Sequence, residues 1–192
     1  MRLRYIDRVR AIAILCMVQV HTAAIIPPEG ISVDHPIAFF SAAIGGMAAP
    51  MFVTISGWGI YRSAIRRSGS ENNNISSWIS WIVPRITILT ICQLLVNSAL
   101  SIDRGGRFDW MTPGVLTLLA LASLIGPIIV YLTKNQRFAM MLLFIISPII
   151  IGDLNEVDLY WSERVSSIGI EEWIERLLLN GTYPALPWLA FI

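Results

Sequence analysis

Apolar residues fall in long blocks along this chain, and short clusters of charged and turn-forming residues separate them. Crossing about 30 Å of hydrocarbon takes a helix of ~20 mostly apolar residues, and that length sorts the blocks. Five qualify or nearly do: Ile6 to Ile26, Pro36 to Tyr61, Trp78 to Leu100, Pro113 to Leu132 and the shorter Phe138 to Gly152. A sixth opens at Tyr183 and stops short of that length at Ile192. The pattern predicts an all-α, polytopic transmembrane helix bundle of five to six spans, and an incomplete one.

The connections carry their own pattern. Asp153 to Thr182 is the longest, and within it Ile170, Trp173, Ile174, Leu177 and Leu178 repeat as one apolar helix face. Glu171, Glu172, Glu175 and Arg176 occupy the other face, and Asn180-Gly181 supplies a stop. Residues 153–182 therefore read as an extracytoplasmic loop with an amphipathic helix, which either lies in the interface as a lid or packs on the span ends. Ser68 to Ser77, with three asparagines from Asn72, reads as a mobile loop. In the second block Gly45, Gly46, Ala48, Ala49, Ser56, Gly57 and Gly59 let neighbouring backbones approach, and Pro50 predicts a kink. The small residues serve helix packing or a groove for a thin ligand arm.

Composition narrows the class. Hydrophobic residues make up 55% and charged residues 14%, against about 25% charged in soluble domains, so water is not the main solvent. The net charge of +1 hides a segregation of sign, and a nucleic-acid partner is excluded. Counted by alternate connections, Arg2, Arg4, Arg8, Arg10, Arg62, Arg66, Arg67, Arg85, Lys134 and Arg137 fall on one side. Arg104, Arg107, Arg164 and Arg176 share the other with most of the acids, including Glu29, Asp34, Asp153 and Glu172. The positive-inside rule then puts the N-terminus in the cytoplasm of an integral membrane protein, with a prokaryotic plasma membrane as the expected location. His21 inside the first block, and the lack of a small-residue cleavage site, favour an uncleaved span over a signal peptide. Cys16 and Cys92 lie in apolar runs and read as reduced packing residues. No internal repeat supports an inverted-repeat transporter.

Ionisable groups in or beside spans are costly, so they point to chemistry. Asp7 and Arg10 are spaced to pair at the foot of the first helix, which serves as an interfacial anchor. Alternatively Arg8, Arg10 or Arg85 grips phosphates of a nucleotide-like ligand through its guanidinium fork. The two histidines, His21 and His35, fall in the same outer third of one helix pair, the arrangement expected of general-base chemistry. The bland readings are an interhelical hydrogen bond for His21 and an exposed loop position for His35. Asp34 either caps the second helix ahead of Pro36 or orients a histidine. No metal site is expected.

Four segments resemble a known family. Arg-Leu-Arg-Tyr-Ile-Asp-Arg-Val-Arg-Ala-Ile-Ala-Ile-Leu-Cys-Met-Val-Gln-Val-His (2–21), Ala-Pro-Met-Phe-Val-Thr-Ile-Ser-Gly-Trp (49–58), Pro-Gly-Val-Leu (113–116) and Tyr-Pro-Ala-Leu-Pro-Trp-Leu (183–189) occur in the order seen in the heparan-α-glucosaminide N-acetyltransferase-like family. The first two also resemble the membrane acyltransferase-3 family, and the last favours the former. Ala11 and Gln93 stand where that family usually has glycine and a small residue. The resemblance implies that residues 1–192 are the N-terminal part of a membrane acyltransferase domain. It implies acetyl-CoA as cosubstrate and an amino sugar, glycan or glycolipid acceptor outside the membrane, with a homodimer allowed. His35 matches the family's catalytic loop histidine and His21 the polar position ending its first helix. Acylation of a polysaccharide or lipid hydroxyl, and a non-catalytic transport or assembly role, stand as the alternatives.

Overall fold

A computed structural model describes residues 4–25, 35–69, 74–155 and 158–192, and these are helical almost throughout. The chain divides into two compact units, 1–56 and 57–192. The first holds α1 (Arg4–Ile25), α2 (Pro36–Gly46) and the start of α3 (Ala48–Ser68). The second holds the rest of α3, α4 (Ile75–Ala99), α5 (Val115–Tyr131), α6 (Lys134–Ile151), α7 (Trp161–Val165), α8 (Ile170–Glu175) and α9 (Ala185–Trp188).

Among the described residues, three stretches are long and apolar enough to cross a membrane: Pro36–Ser68, Ile75–Ala99 and Lys134–Ile151. The shorter apolar helix Val115–Tyr131 corresponds to the fourth predicted block, trimmed because Pro113 precedes the helix and Gly114 caps it. Helix α1 has 22 residues, about 33 Å of rise, but Arg4, Asp7, Arg8 and Arg10 crowd its first two turns. The 33-residue stretch breaks at Met47, one turn before Pro50. Proline has no N–H to offer the carbonyl four residues back and its ring crowds that carbonyl, so the ladder fails at Gly46, while Met47 N–H turns to Ile44 O at 3.2 Å and Met47 O accepts Met51 N–H at 3.2 Å.

The outer surfaces are what a hydrocarbon solvent requires. On α6 Ile149 is 80% exposed and Ile150 66%, and on α4 Leu95 is 64% exposed, while the polar Gln93, Asn97, Ser123 and Ser147 are buried. Such a pattern would be ruinous in water and is natural in lipid, where polar groups must be satisfied inside. The protein is an integral membrane protein built as a helical bundle.

In the second unit α4 packs along α5, and a polar network fixes their register. Gln93 Nε2 donates to Asn97 Oδ1 at 2.8 Å, and Gln93 Oε1 accepts the Leu116 N–H at 3.2 Å. That N–H lies in the first turn of α5, so α4 supplies a cap that α5 cannot make for itself. A Cβ on Gly114 would stand 2.6 Å from Gln93 Nε2, which is why the cap residue has no side chain. Asn97 Nδ2 donates to the carbonyls of Trp110 (3.0 Å) and Thr112 (2.9 Å). Leucine at position 97 would orphan those carbonyls and the Gln93 amide, at about 1–3 kcal/mol for each buried group. Asn97→Leu is expected to lower the melting midpoint in detergent by at least ~5 °C; an unchanged midpoint would show that the network carries no stability.

The segment after α6 is stitched to the residues between α4 and α5. Trp161 Nε1 donates to Arg107 O at 3.0 Å, Trp173 Nε1 to Met111 O at 2.9 Å, Thr112 Oγ1 to Val165 O at 2.6 Å and Thr182 Oγ1 to Pro113 O at 3.1 Å. Helix α8 continues as a π-turn, Arg176–Asn180, closed by Gly181 N–H on Arg176 O at 2.9 Å. Arg176, expected on a polar face, is instead 7% exposed, bonded to Glu172 Oε1 and Asn180 Oδ1, each at 2.9 Å. Leu177 and Asn180 are buried on the same face as Arg176, while Ile170 and Ile174 stay at the surface. From Tyr183 the chain runs along α6 until Ile192 meets Gly57, where a Cβ would stand 2.6 Å from Ile192 Cα.

Candidate functional site

Both histidines belong to the first unit, at one end of the α1–α2 pair. Gln19 Nε2 donates to Ser41 Oγ, and a Cβ on Gly45 would stand 2.5 Å from Gln19 Oε1 and 2.7 Å from Val20 Cβ. The helices therefore touch through a polar clasp and a residue with no side chain. Gln19 lies six residues before the end of α1 and Ser41 five after the start of α2, as an antiparallel hairpin demands. At 1.5 Å per residue His21 stands about 3 Å nearer the mouth than Gln19, and His35 about 9 Å nearer than Ser41. The two histidines thus differ in depth by about 6 Å, and both side chains are exposed. Among the described residues the buried Gln19 Oε1 finds no hydrogen-bond partner, an acceptor held between the two helices.

His35 does more than sit in a loop. It is the N-cap of α2, with φ −69 and ψ 133, and its Nδ1 accepts the Ile37 N–H at 3.2 Å. The residue before a proline is driven into extended backbone, and Pro36 fits the first helical position because no partner is needed there. The cap thus falls on His35, one residue later than the Asp34 reading; Asp34 itself lies outside the described residues. An accepting Nδ1 places the neutral ring's proton on Nε2, so the lone pair that could take a proton is the one bonded to Ile37. Chemistry at His35 therefore exchanges the cap for a substrate contact.

The arginines divide between the units. In α1 Arg10 Nη1 lies 3.9 Å from Asp7 Oδ1, a long and largely exposed pair worth at most about 1 kcal/mol. Arg8 is exposed. Both stand at the opposite end of α1 from His21, Arg10 about 17 Å away along the axis. Arg85 belongs to the second unit, eleven residues into α4 counting Ile75. Its Nε donates to Ser123 Oγ of α5 at 2.8 Å, and Ser123 in turn donates to Leu119 O at 2.8 Å. The described contacts of Arg85 include no carboxylate, so its charge is held between apolar helices by one neutral hydroxyl.

Ser123, Ser41 and Gln19 were not among the candidates read from the sequence. A serine in an apolar run gives no sign of which distant residue it serves, and Ser123 meets Arg85 across 38 positions. Gln19 did carry a signal, being the lone amide inside the first apolar block, two residues from His21.

Neither a curated protein nor a solved structure matches the chain. A family model does, and it runs over residues 2–192, taking in the histidine hairpin, the Arg85 helix and the Tyr-Pro-x-x-Pro-Trp segment. By that match the chain belongs to the heparan-alpha-glucosaminide N-acetyltransferase catalytic family and is a membrane-embedded transferase.

Proposed function

We propose that this protein moves an acetyl group from acetyl-CoA to the amine of an amino sugar in a glycan or glycolipid, on the extracytoplasmic side of the membrane. The N-terminus and the arginine-rich ends then face the cytoplasm. What supports the reading within the family is the hairpin, which brings both of the chain's histidines to one exposed mouth.

His35 is the proposed base. As the acceptor nitrogen attacks the thioester carbonyl, the new N–C bond forms, the C–S bond breaks and CoA leaves as the thiolate. His35 takes the amine proton and returns it to the thiolate, so the balance closes without another reactant. In the two-step variant the imidazole itself attacks the carbonyl and carries the acetyl group to the amine. His21, about 6 Å deeper, assists the proton transfer, and Asp34 orients a ring. Arg8 and Arg10 in the first unit, and Arg85 in the second, are the proposed phosphate partners, because a guanidinium matches phosphate oxygens in pairs.

The test uses protein reconstituted in vesicles, acetyl-CoA labelled in its acetyl group, and glucosamine offered beside an N-blocked sugar of the same shape. Label on the free amine alone supports the proposal. Label on hydroxyls of both sugars would replace it with O-acylation, and no CoA-dependent transfer to any sugar would remove it.

A further inference from the structure

We propose that one end of the second unit is a seat for anionic phospholipid headgroups, built from Arg62, Arg67 and Arg137. Each guanidinium is laid over an aromatic ring: Arg62 over Trp58 at 5.1 Å, Arg67 over Trp81 at 5.3 Å and Arg137 over Tyr61 at 4.9 Å from guanidinium carbon to ring centroid. Backbone and hydroxyl groups hold two of them further. Arg67 Nη1 donates to Ser77 O and Oγ, both at 3.3 Å, and Arg137 donates from Nε to Leu132 O at 3.0 Å and from Nη1 to Tyr61 Oη. Through these contacts the C-terminal part of α3 is tied to the start of α4 and the start of α6. The side chains are pre-ordered, and N–H donors are left over on every fork.

Nothing described at this end neutralises them. Among the described residues no carboxylate pairs with Arg62, Arg67 or Arg137, and Arg66 and Lys134 add exposed positive charge. Helices α4 and α6 begin here and α3 and α5 end here, so their dipoles offset and the charge of this end is that of its side chains. Arg164 and Arg176, in the segment after α6, differ: Arg176 is paired with Glu172, and Arg164 donates to the carbonyls of Leu159 and Asn180. One acid, Glu71, occurs between α3 and α4, on residues outside the described ones.

The neighbourhood decides between a lipid and a free anion. Ile75 is 78% exposed, Phe138 58%, Ile79 54% and Ile65 44%, all within a few residues of the arginines. A soluble phosphate would satisfy the forks and leave this surface bare, whereas a phospholipid covers it with acyl chain while its phosphate meets the guanidinium donors. Aromatic rings with basic residues at helix ends are also the make-up of a membrane–water boundary.

Purified protein in neutral detergent would be titrated with phosphatidylglycerol, phosphatidylcholine or inorganic phosphate, reading the melting midpoint and the lipid retained. Each arginine near an anionic surface contributes about fivefold in binding, so the three together should favour phosphatidylglycerol over phosphatidylcholine by on the order of 100-fold at low salt. The triple variant Arg62→Gln, Arg67→Gln, Arg137→Gln should erase that preference, while Arg107→Gln leaves it intact. Trp58→Leu with Trp81→Leu keeps every charge and should weaken it. Equal stabilisation by the two lipids, by free phosphate, or of the triple variant would overturn the proposal. Should the triple variant not fold, the wild-type comparison of the two lipids decides alone.

Discussion

His35→Asn should leave a folded protein that melts within about 1 °C of the parent, yet transfers acetyl groups 10²–10⁴-fold more slowly, the usual contribution of a positioned base. The substitution is chosen from the geometry of α2. Nδ1 of His35 accepts the Ile37 N–H, and an asparagine oxygen at the same N-cap accepts it equally well. Asparagine therefore keeps the cap and removes only the basic nitrogen. His35→Ala removes both, and should add a loss of about 1 kcal/mol in stability to the same loss of rate. If the cap alone mattered, Asn would be active and Ala would not. If the base matters, both fall together and only Ala melts early. Full activity in the Asn variant would take His35 out of the chemistry and leave it a helix cap. His21→Ala is the companion: it touches no cap, so whatever it costs in rate is owed to the ring.

The helical plan was legible because hydrocarbon solvent imposes one rule on a whole segment. Ile75–Ala99 and Lys134–Ile151 are close to the predicted blocks, and the break at Met47 follows from Pro50. The predicted Ser68–Ser77 loop is shorter, because Asn74 caps α4 by accepting the Ser77 N–H at 2.8 Å; residues 70–73 lie outside the described ones. Among the described residues two predicted spans lack a stretch that meets both length and apolarity, and the reasons are local. Charges load the start of α1, and the Pro113-Gly114 pair belongs to the cap of α5.

The candidate site was legible in residue type and not in partnership. Two histidines toward one end of a helix pair can be read from spacing. That one of them caps its helix cannot, because asparagine, aspartate and serine are the side chains expected there and Asp34 sits next door. Gln93 and Asn97 offered a readable signal, since amides four apart in an apolar span must face inward and together. Their targets, Leu116 N–H and the Trp110 and Thr112 carbonyls, are set by how α5 docks, which no local pattern encodes.

Arg85→Gln should raise the KM for acetyl-CoA by about 10–150-fold with kcat little changed, the loss expected for a charge-assisted bond of about 1.5–3 kcal/mol to phosphate. Glutamine reaches Ser123 Oγ as the arginine does, so packing between α4 and α5 is kept while the charge goes. Stability should move the other way. A cation held between apolar helices by one hydroxyl costs the fold more than it returns, so the neutral variant should melt at the same temperature as the parent or higher. Arg85→Lys keeps the charge without the fork and should fall between the two in KM. The opposed signs separate the roles, since a residue kept only for packing would lose stability when altered and leave KM alone. A lower melting midpoint with unchanged KM would therefore return Arg85 to the architecture of the bundle. A higher midpoint with weakened acetyl-CoA use would mark a charge retained for its ligand against the interest of the fold.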